Sequence, residues 1–150
     1  MKRMSKIVLG AALFLISACT GYQSASISTC NPEVVADFYN QFGRVWIAWG
    51  GAVDYADSLA EHSVSGNTFD EAIEVLVMTQ RRMEGEPYPD CLSEEVTSLL
   101  QGVEDTIAAF HEFRMNGEWT EPALRLRRSG QEKEEGFLQV IAGILAQGEP

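Results

Sequence analysis

Apolar residues return every seven positions from Val35 onward. Val35, Phe42, Trp49 and Ala56 form one series, and Phe38, Val45, Ala52 and Leu59 a second interleaved with it. That spacing is the buried seam of one long amphipathic helix. Asn31-Pro32-Glu33 supplies its start: Asn as N-cap, Pro where a missing N–H costs nothing, and an acid in the first turn. Gly50-Gly51 interrupts the pattern at about 1 kcal/mol per glycine relative to Ala. The pair permits a close helix approach or a kink there. A second helix is predicted from Thr68, where Thr68-Phe69-Asp70-Glu71 matches the capping box. Phe69, Ile73, Leu76, Gln80 and Met83 continue one face, and Gly85 suits the residue after its end. Pro87 and Pro89 make residues 86–90 extended. A third helix is predicted from near Ser93, with Val96, Leu99, Val103, Phe110 and Phe113 inward, Leu100 and Ile107 flanking them, and Asn116-Gly117 at its end. The fourth region starts near Thr120 and breaks around Ser129-Gly130. It resumes over residues 131–146 with Phe137, Leu138, Ile141, Ile144 and Leu145 inward. No stretch alternates with period two, so the expected fold is all-α, an antiparallel bundle of about four helices over residues 30–150.

Ahead of this bundle stand Lys2, Arg3 and Lys6, then ten uncharged residues from Ile7 to Ile16. Crossing a bilayer takes about 20 apolar residues, so the segment reads as a secretory signal peptide over residues 1–18. Ile16-Ser17-Ala18-Cys19 resembles the lipobox of bacterial lipoproteins. Ordinary secretory cleavage is the alternative, and bulky Ile16 fits its small-residue pattern poorly. The resemblance implies that Cys19 is diacylated and becomes the mature N-terminus, so the chain would meet the membrane through its lipid. Thr20 is not the Asp that enterobacterial sorting uses for inner-membrane retention. The expected place is therefore the outer membrane of a diderm cell, or else the outer face of the cytoplasmic membrane. Residues 19–29 are small, polar and uncharged, a flexible tether reaching about 36 Å at most.

The chain's net charge of −11 becomes −14 once the three cations of the signal peptide leave. Such a surface argues against a nucleic-acid partner, which needs a basic footprint. The three cysteines resolve into one lipidated residue and a pair. Cys30 precedes the first helix and Cys91 the third, two ends that lie together in an up-down-up bundle. A disulfide is expected, because outside the cytoplasm these are the only two unmodified thiols. A redox or metal pair is the alternative, without a C-x-x-C or clustered His to carry it.

Catalytic signatures are missing. His62 and His111 are the only histidines, and Leu59 and Ala108 stand where an E-x-x-H motif needs Glu. No G-x-S-x-G, Walker or G-x-G-x-x-G motif occurs. No catalytic residue, metal ligand or cofactor is expected. Glu132, Glu134 and Glu135 read as a solvated helix face. Arg125, Arg127 and Arg128 could form an anion patch. The favoured reading is local pairing, Glu121 with Arg125 and Arg128 with Glu132. Tyr39, Trp46 and Tyr55 flank the first seam as a candidate binding surface, although flanking aromatics more often pack. Trp49…Asp54-Tyr55-Ala56, Gln80-Arg81-Arg82, Pro89-Asp90-Cys91 and Phe110-x-x-Phe113 resemble small secreted helical proteins of uncharacterised bacterial families, over residues 30–117. That resemblance implies the bundle and a disulfide-capable Cys91, and no substrate. The expected function is a non-enzymatic envelope lipoprotein that binds another envelope protein or plays a structural part. The alternative is a bundle that binds a small molecule or peptide beside Gly50-Gly51.

Overall fold

The computed structural model describes residues 30–62 and 66–148. The expected signal peptide, the Ile16–Cys19 motif and the expected tether lie outside the described residues. Four helices account for most of what is described: α1 (Pro32–Glu61), α2 (Asn67–Gly85), α3 (Ser93–Asn116) and α4 (Glu121–Leu145). Among the described residues there is no strand. None of these helices is long and apolar enough to cross a membrane.

The helix starts show where local chemistry decides. The Asn31 carboxamide oxygen accepts from the Glu33 N–H at 2.9 Å, and the Thr120 hydroxyl accepts from the Ala123 N–H at 3.3 Å. Gly117 ends α3 at φ +72°, its N–H bonded to the Phe113 carbonyl at 2.8 Å. At α2 the expected capping box is absent. The helix begins one residue earlier, at Asn67, behind Gly66 at φ +85°. That left-handed glycine turns the chain by itself, and its carbonyl takes the Phe69 and Asp70 N–H groups at 3.1 and 3.3 Å. Thr68 is left exposed in the first turn.

The helices go up, down, up and down around one core, with α1 against α2 and α4, and α3 against α2 and α4. One end gathers the starts of α1 and α3 and the end of α4. There Cys30 and Cys91 stand at disulfide distance, Cα to Cα 5.6 Å. A Cβ built on Gly148 would lie 2.7 Å from the Pro32 Cβ. α2 has 19 residues against 30 in α1, a shortfall of about 16 Å. The extended residues 86–89 and a 3-10 turn at Asp90–Leu92 make it up and deliver Cys91 to Cys30. The opposite end is closed by aromatic rings. Phe69 lies 5.3 Å from Phe113, and Trp119 lies 4.9 Å from Phe113 and 5.6 Å from Phe110.

The predicted α1 seam is largely the observed one. Val35, Phe38, Phe42, Trp49, Ala52 and Ala56 are buried, while Val45 and Leu59 are only half-buried and Val53 and Ala60 fill in. A straight helix drifts about 20° per heptad relative to a strict seven-residue repeat, so the buried stripe has moved off Leu59 at the end of the second series, while Ala56 at the end of the first stays buried.

Two expectations about glycine are corrected. α4 does not break at Ser129-Gly130 but runs unbroken through both. The Ser129 hydroxyl donates to Asp105 at 2.8 Å instead of capping, and Gly130 is buried where α4 crosses α3. A Cβ there would run into the Thr106 hydroxyl and come within 2.8 Å of the Gly102 carbonyl. Gly102 is the counterpart on α3, with Lys133 Cβ and the Gly130 carbonyl at about 3 Å from a built Cβ. The second correction is at Gly50-Gly51. α1 passes through them without a break, and nothing lies within 4 Å of a Cβ at either. No helix of the bundle approaches them.

Candidate functional site

The α1–α4 seam collects Tyr39, Trp46, Trp49, Arg127 and Glu134 of the residues singled out by sequence, together with several that were not. Trp49 is buried, and its indole N–H donates across the seam to the Glu134 carboxylate at 3.0 Å. Trp46 packs beside it, 6.3 Å from the Phe42 ring and 6.4 Å from Phe137 of α4. Toward the aromatic end, Arg127 pairs with Asp57 of α1 at 2.5 Å. Its guanidinium also lies 5.2 Å from the Phe110 ring centre, a cation–π contact.

Tyr39, Trp46 and Tyr55 do not make one surface. Tyr39 and Trp46 are seven residues apart on the α4 side of α1, both half-buried against the core. Tyr55 is nine residues beyond Trp46. Nine steps of about 100° bring it to the opposite side of the helix, where it is 49% exposed.

The charged clusters divide as well. Neither Glu121–Arg125 nor Arg128–Glu132 is an ion pair; among the described residues all three ion pairs join different helices. Arg125 and Arg128 are exposed, and only Arg127 turns inward. In the Glu132–Glu135 run, Glu134 leaves the solvated face. Burial raises its carboxyl above the usual range, while the Trp49 hydrogen bond and the Arg127 charge partly offset that. Between α3 and α4, Asp105 accepts from Lys133 at 2.5 Å and from Ser129 at 2.8 Å. Burial pushes its carboxyl up, but those bonds outweigh it and leave it below the ordinary value. Asp70 is held low by the two-pronged bond from Arg114, at 2.7 and 3.0 Å. Among the described residues no three His, Cys, Asp or Glu side chains are grouped to hold a metal.

Glu134 and the two aspartates therefore pull stability in opposite directions with pH. A carboxyl raised in the folded state favours folding most below its unfolded value, and this contribution is lost as pH rises through the folded one. The lowered aspartates contribute above their unfolded value and lose it as acid titrates them. Trp49→Phe keeps the ring but removes the donor, leaving a half-buried carboxylate unsatisfied at a cost of about 1–3 kcal/mol. Urea unfolding should show that loss in full at pH 7 and a smaller one at pH 4, where Glu134 is increasingly neutral. Glu134→Gln, which keeps an acceptor for the indole without the charge, should raise the pH 7 midpoint. A loss independent of pH would assign the defect to ring packing.

Sequence reasoning missed Glu134 and the Asp105–Ser129–Lys133 set. The available signal for the second was Ser129 and Lys133 at i,i+4 beside an in-pattern glycine. No family model matches the chain, and no curated protein or solved structure is similar enough to count as a relative. The lipoprotein reading therefore rests on residues 1–19 alone.

Proposed function

We propose that this chain is a lipid-anchored envelope protein without catalytic activity, whose bundle serves as a protein-interaction module. The observation that carries this reading is the construction of the end where the tether joins. Cys30, the residue after the tether, is tied to Cys91 at the start of α3, and Gly148 at the close of α4 sits against Pro32. Three helix ends thus share one braced base, and the acidic bundle is tethered to the membrane there. A small hydrophobic ligand or peptide in the α1–α4 seam is the second reading, favoured by half-buried Tyr39 and Trp46 along it. Closure of that seam by Glu134 on Trp49 and by Phe137 on Trp46 weighs toward the first.

Growth with a palmitate analogue tests the anchor: label should enter the chain and disappear in Cys19→Ser. Label that survives the substitution, or no label at all, would sink it. Crosslinking in intact cells followed by pull-down tests the module. Protein adducts are expected, and recovery of a bound small molecule with no protein adduct would favour the second reading.

A further inference from the structure

The outer side of α1 carries a second regular stripe that the bundle does not use. Asn40, Arg44, Ile47, Gly51, Asp54 and Ser58 follow one another at steps of four, three, four, three and four. That is the a/d spacing of a helix–helix seam, on the side opposite Trp49. All six are exposed, and Ile47 is 76% exposed, the most open of the large apolar side chains among the described residues. Nothing lies within 4 Å of a Cβ built on Gly51, or on Gly43 and Gly50 beside it, so these glycines serve no contact within the bundle. Arg44 is the only cation of α1 and the only charge between Phe38 and Val53. Neither Arg44 nor Asp54 belongs to an ion pair among the described residues.

We propose that this stripe pairs antiparallel with the same stripe of a second copy of the chain, about a two-fold axis level with Trp49. The six positions are palindromic in chemistry about that level. In an antiparallel seam each a position meets a d position of the partner helix. Ile47 then enters the gap over the second copy's Gly51, Arg44 meets its Asp54, and Asn40 meets its Ser58. Each contact occurs twice, as a two-fold interface requires. A parallel pair would set Arg44 against Arg44 and Asp54 against Asp54, so charge selects the antiparallel arrangement. One helix pair is a small interface. Tethering both copies to one membrane raises their effective concentration. The tethered ends lie about 57 Å apart in such a pair, and two tethers reaching about 36 Å each let both lipids enter one bilayer with α1 along it.

This deepens the interaction-module reading and rests on it. The test uses the full chain in cell membranes, as two differently tagged copies with a photo-crosslinking residue at position 47. A product of twice the monomer mass carrying both tags is expected, and none from the same residue at Met78, an exposed position on α2. Arg44→Asp and Asp54→Arg should each cut the yield by about tenfold through like-charge contact, and the double reversal should restore it. Gly51→Leu should abolish the product without lowering the melting temperature, because the space around Gly51 is open. An adduct only with a different envelope protein overturns self-pairing and leaves the module reading standing. No adduct at position 47, or a double reversal that fails to restore it, overturns the pairing outright.

Discussion

Gly130→Val should cost the bundle about 3 kcal/mol or more, while Gly50→Ala, the same residue type one helix away, should gain about 0.5–1 kcal/mol. The opposite signs follow from what surrounds each glycine. At Gly130 the first atom of any side chain collides with the Thr106 hydroxyl and crowds the Gly102 carbonyl. Relief requires moving α4 away from α3 along a contact that also holds Asp105, Ser129 and Lys133 together. Thr106 is fully buried, and its hydroxyl already lacks a partner among the described residues. It has no alternative bond to gain when pushed. At Gly50 no atom lies within reach, so alanine brings only its better helix propensity. Against a total stability of about 5–15 kcal/mol for an ordinary domain, the valine variant gives up a large share of its margin and unfolds at a clearly lower urea concentration. Urea titration of the two variants side by side reads both effects. Equal midpoints would mean that the α3–α4 crossing is looser than the structure places it.

The same comparison shows what the sequence could and could not convey. Asn31, Thr120 and Gly117 act within three or four residues of themselves, so their roles were legible from type and position. The α1, α2 and α3 cores were legible because a 3.6-residue period needs no partner to be seen. Ser129-Gly130 misled because the dipeptide is a break signal by local chemistry. Its actual role depends on Asp105, Gly102 and Thr106, more than twenty residues back. Thr68 misled for the opposite reason: a capping box was present in letters, but Gly66 had already made the turn with its backbone. Glu134 was hidden inside an acidic run, and its partner Trp49 is 85 residues away. The separation of Tyr55 from Trp46 needed no structure, since nine residues are two and a half turns. The surface chemistry of α1 was also present in the letters. Only the absence of neighbours around Gly43, Gly50 and Gly51 turns it from a packing motif into an unused face.

Replacing Cys30 and Cys91 together by Ala should lower stability by about 4 kcal/mol and raise the urea m value. The bond closes a sequence separation of 61 residues, spanning α1, α2 and the extended segment that follows. On the chain-entropy account a loop of that size removes roughly 4 kcal/mol worth of freedom from the unfolded state. Losing the bond lets the unfolded chain expand and expose more surface, and m follows exposed surface. A loss confined to folded-state contacts would shift the midpoint and leave m unchanged, so one titration separates the two causes. A fall of about 15 °C in melting temperature is the matching thermal expectation. The variant also probes the base on which the proposed anchor stands. With the bond, tension on an anchored tether would be shared by the first turns of α1 and α3. Without it, the whole load would fall on the start of α1, where Asn31 is held by its bonds from the Glu33 and Val35 N–H groups and Pro32 by the Gly148 contact. Partial proteolysis should then cut first within residues 86–92, which reach Cys30 by an extended run with few helical hydrogen bonds of its own. Protection there equal to that of the native chain would show that packing of Leu92 and Val96 holds the base without the bond.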